Sequence, residues 1–391
     1  MLSIHDLPHS VSNPCVPVRR SLTLVFAWLC LLPAVGFCRD RWTPEQAHAW
    51  YAKQPWLVGA NYIPSNAINQ LEMWQADTFD PATNDRELGW AAGLGFTSVR
   101  VFLHDLLWQQ DREGFLKRLD QFLAIADRHQ IGVMLVPLDG VWDPQPALGK
   151  QRAPKPHVHN SGWLQAPGAA LLADPARHEE LKPYIQGLIR HFRTDRRVQA
   201  WDLFNEPDNP NSNSYGEAGS GTELPAGRKA EMATRLLQQL FVWAREVDPG
   251  QPLTVGVWRD DWSDPNRLSA CNRLMLDQSD VISFHCYGRL PDMQARVAQL
   301  QRYGRPLLCT EYMSRGSGST FDPVLGYLRQ QRIAAYNWGL VDGKTQTIYP
   351  WETWQKQYTA KPDLWFHDIF HADGKPYRSA EADYIRSQTM R

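Results

Sequence analysis

Eight apolar runs of strand length alternate with segments of helical period from Trp56 to the C-terminus, and no low-complexity linker interrupts them. This alternation constrains the fold more than any other feature. A short continuous apolar run suits a strand buried on both faces, and an amphipathic helix between two such runs covers one of those faces. The strand runs are residues 56–62, 98–103, 133–138, 198–205, 253–257, 281–286, 307–310 and 333–338. Between them Phe115, Leu119, Phe122 and Ala126 form one helical stripe, and Leu181, Ile185, Leu188 and Phe192 form a second. Met232, Leu236, Leu240, Trp243 and Val247 form a third, each stripe spaced to bury one helix face. Eight strand and helix units predict an α/β fold, a single (β/α)8 TIM barrel, with a doubly wound open sheet as the alternative. Long loops follow strands 3, 4 and 8 (139–174, 208–227 and 340–361). In a barrel these stand at the strand C-termini, where the active site sits.

Composition narrows the function. With 43% hydrophobic residues the chain of 391 residues has enough apolar side chains for a packed core. Lys and Arg number 41 against 42 Asp and Glu, a net charge of −1, so no global field draws the protein to nucleic acid, and no nucleic-acid partner is expected. Tryptophan, at 17, outnumbers both Phe and Tyr, and indole rings stack well on sugar faces. Arg19-Arg20, the apolar run 21–33 and the small residues Ala34 and Gly36 read as a secretory signal over 1–36, leaving 37–391 as one domain. The run is shorter than the ~20 residues of a bilayer span, so a secreted or periplasmic monomer with no stable membrane span after signal removal is expected.

Cys15 and Cys30 fall in the leader, and Cys38, Cys271, Cys286 and Cys309 are too few for a disulfide scaffold. Cys286 and Cys309 sit in strand runs and read as buried free thiols. With no CxxC or HExxH there is no support for a metal, and His157-Val158-His159 reads as a solvated loop pair. No GxGxxG or complete phosphate loop is present, so no cofactor is expected.

The chemistry lies at strand ends. The fourth run ends in Asn205-Glu206-Pro207 and the seventh in Thr310-Glu311-Tyr312, which places two glutamates across the barrel mouth from each other. Residues two apart share a strand face. Leu307, Cys309 and Glu311 then share one face of strand 7. Ser283, His285 and Tyr287 share one on strand 6, and Ser98, Arg100, Phe102 and His104 one on strand 2. If these faces look inward, Arg100, His104, His285, Tyr287 and Glu311 converge. An inward Arg needs a carboxylate, and Glu311 is its natural partner; Asp202 reads as a buried partner for an Arg or a backbone amide. Paired with Arg100 and Tyr287, Glu311 is expected to have the lower pKa and act as nucleophile, while Glu206 stays protonated as general acid and Asn205 meets a sugar 2-hydroxyl.

These motifs resemble clan A glycoside hydrolases, nearest to family 5 and its cellulase-, mannanase- and xylanase-like members. The resemblance implies a (β/α)8 barrel, retention of configuration and no metal. It implies an acid/base at Glu206 after Asn205, a nucleophile at Glu311, an Arg at Arg100, the His-x-Tyr of His285 and Tyr287, and a sugar platform at Trp338. Many members carry a His near the end of strand 3, where this chain has Asp139; Asp139 or His104 is expected to supply that polar contact. The carbohydrate substrate is then a plant-type β-glycan or its oligosaccharides. A non-catalytic sugar-binding barrel, or a transglycosylase using the same glutamates, are the alternatives.

Overall fold

The computed structural model describes residues 39–213 and 224–390. The leader, Cys15, Cys30, Cys38 and the middle of the loop after the fourth strand lie outside the described residues. Eight parallel strands form the sheet: β1 (Val58–Asn61), β2 (Ser98–Phe102), β3 (Gly132–Val136), β4 (Val198–Asp202), β5 (Leu253–Thr254), β6 (Ile282–His285), β7 (Leu307–Tyr312) and β8 (Ala334–Trp338). Each neighbours the next, and β1 pairs with β8. Closure between β5 and β6 comes through Val257, whose amide donates to Ser283 O (3.1 Å) and whose carbonyl accepts from His285 N (2.9 Å). The open-sheet alternative is thereby excluded, and every predicted strand run overlaps an observed strand.

A helix α1 (Pro44–Ala52) precedes the barrel, and one follows each strand: α2 (Pro81–Ala92), α3 (Asp105–Arg128), α4 (Lys182–Phe192), α5 (Ala226–Glu246), α6 (Ala270–Gln278), α7 (Leu290–Gln301), α8 (Phe321–Gln330) and α9 (Ser379–Thr389). The predicted stripes of α3, α4 and α5 are all buried against the sheet. The third helix begins earlier than its stripe, because His104 caps an extra first turn that breaks at the non-helical Asp111.

Inside the barrel, the lower layer of Met134, Ala200, Leu308, Ala334 and Tyr336 packs against Ala47 and Tyr51 of α1, which closes the bottom. That helix is started by Thr43, whose hydroxyl accepts from Gln46 N (3.2 Å) while Gln46 Oε1 accepts from Thr43 N (2.8 Å). The upper layer is polar, and it is there that the site residues gather. Cys271, Cys286 and Cys309 are buried and free. No helix among the described residues is long and apolar enough to cross a membrane.

Strict side-chain alternation fails at one place, in β7. Leu307 and Cys309 pack in the outer core, whereas Leu308 lies in the barrel interior. Strict alternation would then send Glu311 outward. The pairing with β6 slips, with Phe284 opposite Cys309 but His285 opposite Glu311, and the pairing with β8 slips in the same place. This bulge turns Glu311 back toward the barrel mouth, as bulges beside functional sites often re-aim a side chain.

Candidate active site

Arg100 is fully buried at the centre of the mouth. Its Nη1 donates to Asn61 Oδ1 (2.7 Å) and Glu311 Oε1 (3.0 Å), its Nη2 to Asn205 Oδ1 (2.7 Å), and its Nε to Asp202 Oδ2 (3.0 Å). Burying a guanidinium is tolerable only with such saturation, and β1, β4 with the turn after it, and β7 supply it. Asn61 and Asn205 are aimed by Arg100, and Asn205 donates in turn to Asp139 Oδ1 (2.9 Å).

Asp139 is wholly buried and accepts from Trp163 Nε1 (2.7 Å) and Val141 N (3.1 Å). Burial pushes its carboxyl up to about 7. It steadies Asn205 from behind and does not line the cleft. His104 is also not in the cleft wall: its Nδ1 accepts from Leu106 N (3.2 Å) at the start of α3, beside Asp105. The polar contact expected of Asp139 or His104 at the end of β3 is therefore not made by either in the cleft.

Glu206 and Glu311 face each other. With His285 between them, their nearest ligand atoms all lie within 4.8 Å of one another. The surroundings differ. Glu311 accepts from Arg100 and from the Tyr287 hydroxyl (2.8 Å). Glu206 accepts from Asn209 Nδ2 (2.7 Å) and has His285 Nδ1 2.9 Å from its Oε1. Burial drives His285 down to about 4, so it is neutral and puts no cation beside Glu206.

Burial, barely relieved by Asn209 and reinforced by Asp208, pushes Glu206 up to about 7. Glu311 is raised above its ordinary range as well. Burial and the neighbouring Glu206 raise it despite Arg100 and Tyr287. The two carboxyls share one desolvated site, and of the two only Glu311 has the Arg100 guanidinium on it, which favours its ionised form over that of Glu206.

Glu206 has φ 39°, left-handed and immediately before Pro207, a conformation that costs a non-glycine residue roughly 1 kcal/mol or more. Asn209 holds it from both ends, its side chain on the carboxylate and its amide on Glu206 O (3.0 Å).

The cleft above these acids has a volume of about 290 Å³. Trp338, the predicted platform, lies in its wall, packed edge-on against Phe102 and Trp163. Of the loop tryptophans, Trp142, Trp258 and Trp351 line it, whereas Trp163 and Trp262 are core residues. His159, Asn209 and His367 also line the cleft and were not singled out from sequence as site residues. His159 is 2% exposed, which corrects its reading as a solvated loop residue. Only Asn209, three residues beyond Glu206, had a local signal; the histidines reach the site through loop packing.

Fold and geometry together define a (β/α)8 barrel with two carboxylates at its C-terminal mouth. Among solved structures, the barrel is similar to a GH5_18 protein from Streptomyces cattleya, solved in complex with Manβ1-4GlcNAc. The two share 15% identity over 85% of this chain and 80% of the other, with a TM-score of 0.55. An exo-β-1,4-mannosidase from Opitutaceae bacterium strain TAV5 gives 0.56 at 18% identity, over 85% of this chain and 59% of the other. A β-1,4-D-mannanase from Cryptopygus antarcticus gives 0.53 at 11% identity, over 86% and 90%. The sequence matches no protein-family model and no curated protein.

Proposed function

We propose that this protein is a secreted or periplasmic retaining glycoside hydrolase that cleaves β-glycosidic bonds by double displacement. The observation that carries the reading is that Glu206 and Glu311 each bring a carboxylate oxygen to within 4.8 Å of the other's, with Arg100 and Tyr287 bonded to Glu311 and not to Glu206. Retaining pairs stand ~5–5.5 Å apart, and inverting pairs need ~6.5–9.5 Å to admit a water. Glu311 attacks the anomeric carbon and the leaving oxygen takes the proton of Glu206. Glu206 then removes a proton from the water that releases the sugar. Asn205, held by Arg100 and Asp139, presents its amide to the 2-hydroxyl. The solved structures similar to this barrel name β-1,4-mannosidic substrates, which supports a β-mannoside among plant-type β-glycans.

The test is azide trapping on an aryl β-glycoside. Glu311→Ala is expected to lose turnover by several orders of magnitude and to form the inverted α-glycosyl azide; Glu206→Ala is expected to form the retained β-azide. Wild-type hydrolysis that releases the α-anomer first overturns the reading.

A further inference from the structure

The loops after β3 and β8 are fastened to each other across the top of the barrel. Asn160 N donates to Thr345 O (2.9 Å), His159 N to Thr353 Oγ1 (2.9 Å), His157 N to Gln346 Oε1 (2.8 Å) and Gln346 Nε2 to Lys155 O (2.8 Å). The result is a pinned wall, built at the cleft from His159, Trp351 and His367. The ring of His159 lies 5.4 Å from His367 and 6.3 Å from Trp351, and Tyr287 packs 5.0 Å from Trp351 and 5.7 Å from His367.

The side on which this wall stands matters. In a double displacement the glycone ring lies over the nucleophile and the leaving group lies toward the acid. Tyr287 binds Glu311, so the wall that packs on Tyr287 closes the glycone side. Asn209, bonded to Glu206, and Trp258, bonded through Nε1 to Asp208 (2.8 Å), mark the leaving-group side. A volume of about 290 Å³ sits at the floor of the ~300–1,000 Å³ usual for small-molecule pockets.

The wall also carries a defined hydrogen-bonding sense. His159 Nδ1 lies 2.7 Å from Tyr349 O, and a carbonyl only accepts, so Nδ1 bears the hydrogen and Nε2 is a lone-pair acceptor. His367 is locked likewise by Met313 O (2.6 Å). Burial keeps both imidazoles neutral, His159 at about 4 and His367 below its usual range.

We propose that the cleft is a blind pocket for one non-reducing-end sugar ring, with a ring hydroxyl donating to Nε2 of His159, so that the protein removes glycosyl units singly from chain ends. This rests on the retaining-hydrolase reading and goes beyond it by fixing where along a chain the bond is cut.

The experiment uses the purified protein with β-1,4-linked manno-, gluco- and xylohexaoses labelled at the reducing end, and the same chains capped at the non-reducing 4-hydroxyl. The expected first product is the unlabelled monosaccharide, with the labelled chain shortening one unit at a time and capped chains untouched. Early unlabelled di- or trisaccharides, or cutting of capped chains, overturn the inference alone. Failure on every substrate, small aryl β-glycosides included, overturns the hydrolase reading as well. On an aryl glycoside, His159→Ala is expected to lower kcat/KM about tenfold, the scale of one lost hydrogen bond. His159→Gln, whose side-chain oxygen also accepts, is expected to recover most of it. Equal loss in both variants, or loss in neither, overturns the role of His159.

Discussion

Arg100 makes the two glutamates unequal. It ties itself to Glu311 and through Asn205 to Asp139, and leaves Glu206 with an amide and a neutral imidazole. That asymmetry has a sign in the pH dependence. A nucleophile must be ionised, so kcat/KM rises with pH as Glu311 loses its proton. A general acid must be protonated, so kcat/KM falls as pH passes about 7, where burial has placed Glu206. A bell with its alkaline limb near 7 is expected for kcat/KM on an aryl glycoside. With an activated leaving group that needs no proton, Glu206→Gln is expected to lose that limb. A limb that persists in Glu206→Gln assigns it to another group. The same arginine was legible in the sequence, since an inward Arg on a strand demands an acid and Glu311 was the natural one; that Asp202 also meets it emerged only from the fold. The absolute position of Glu311 was not legible, because desolvation depends on how completely the mouth is roofed, and the roof is made of loops.

At the scale of elements, position depends on departures from regular strand geometry. The bulge in β7 aims Glu311, and the left-handed turn after Asn205 aims Glu206. Gly140 lies under that turn: a Cβ added there would sit 2.0 Å from Glu206 O, against backbone that has no room to move. Gly140→Ala is therefore expected to cost roughly 1–3 kcal/mol of stability and to lower kcat well beyond what the stability loss explains. Chemical denaturation and kinetics on the folded variant measure the two effects separately. A variant with unchanged kcat would mean that the turn does not position the acid. Strand existence was readable because continuous apolar runs have no other good solution in a chain of this length. The bulge was not readable, since Leu307-Leu308-Cys309 is apolar on both faces and carries no mark of where the alternation slips. His159 and His367 were equally silent, because their place in the wall follows from hydrogen bonds to distant loops, His159 Nδ1 to Tyr349 O and His367 Nδ1 to Met313 O.

For the whole molecule, the barrel divides into a polar, chemical end and an apolar, structural end, and α1 belongs wholly to the second. Tyr51 fills the bottom of the barrel, 6% exposed, and its hydroxyl donates to Arg332 O (2.8 Å) just before β8 begins. Burial holds its phenol neutral, so the contact is a plain hydrogen bond on top of a packed ring. Truncation to alanine leaves a cavity that the rigid strand ends around it cannot close, and large aromatic deletions of this kind cost ~3–5 kcal/mol. The site residues stand at the opposite end of the strands, held by their own network around Arg100. Tyr51→Ala is thus expected to lower the unfolding midpoint in urea strongly while kcat and KM, measured well below the new unfolding transition, stay within about twofold of wild type. A parallel loss of kcat would show that the packed floor beneath Tyr336 and Ser98 transmits strain up to the arginine, and that the two ends of the barrel are energetically one site.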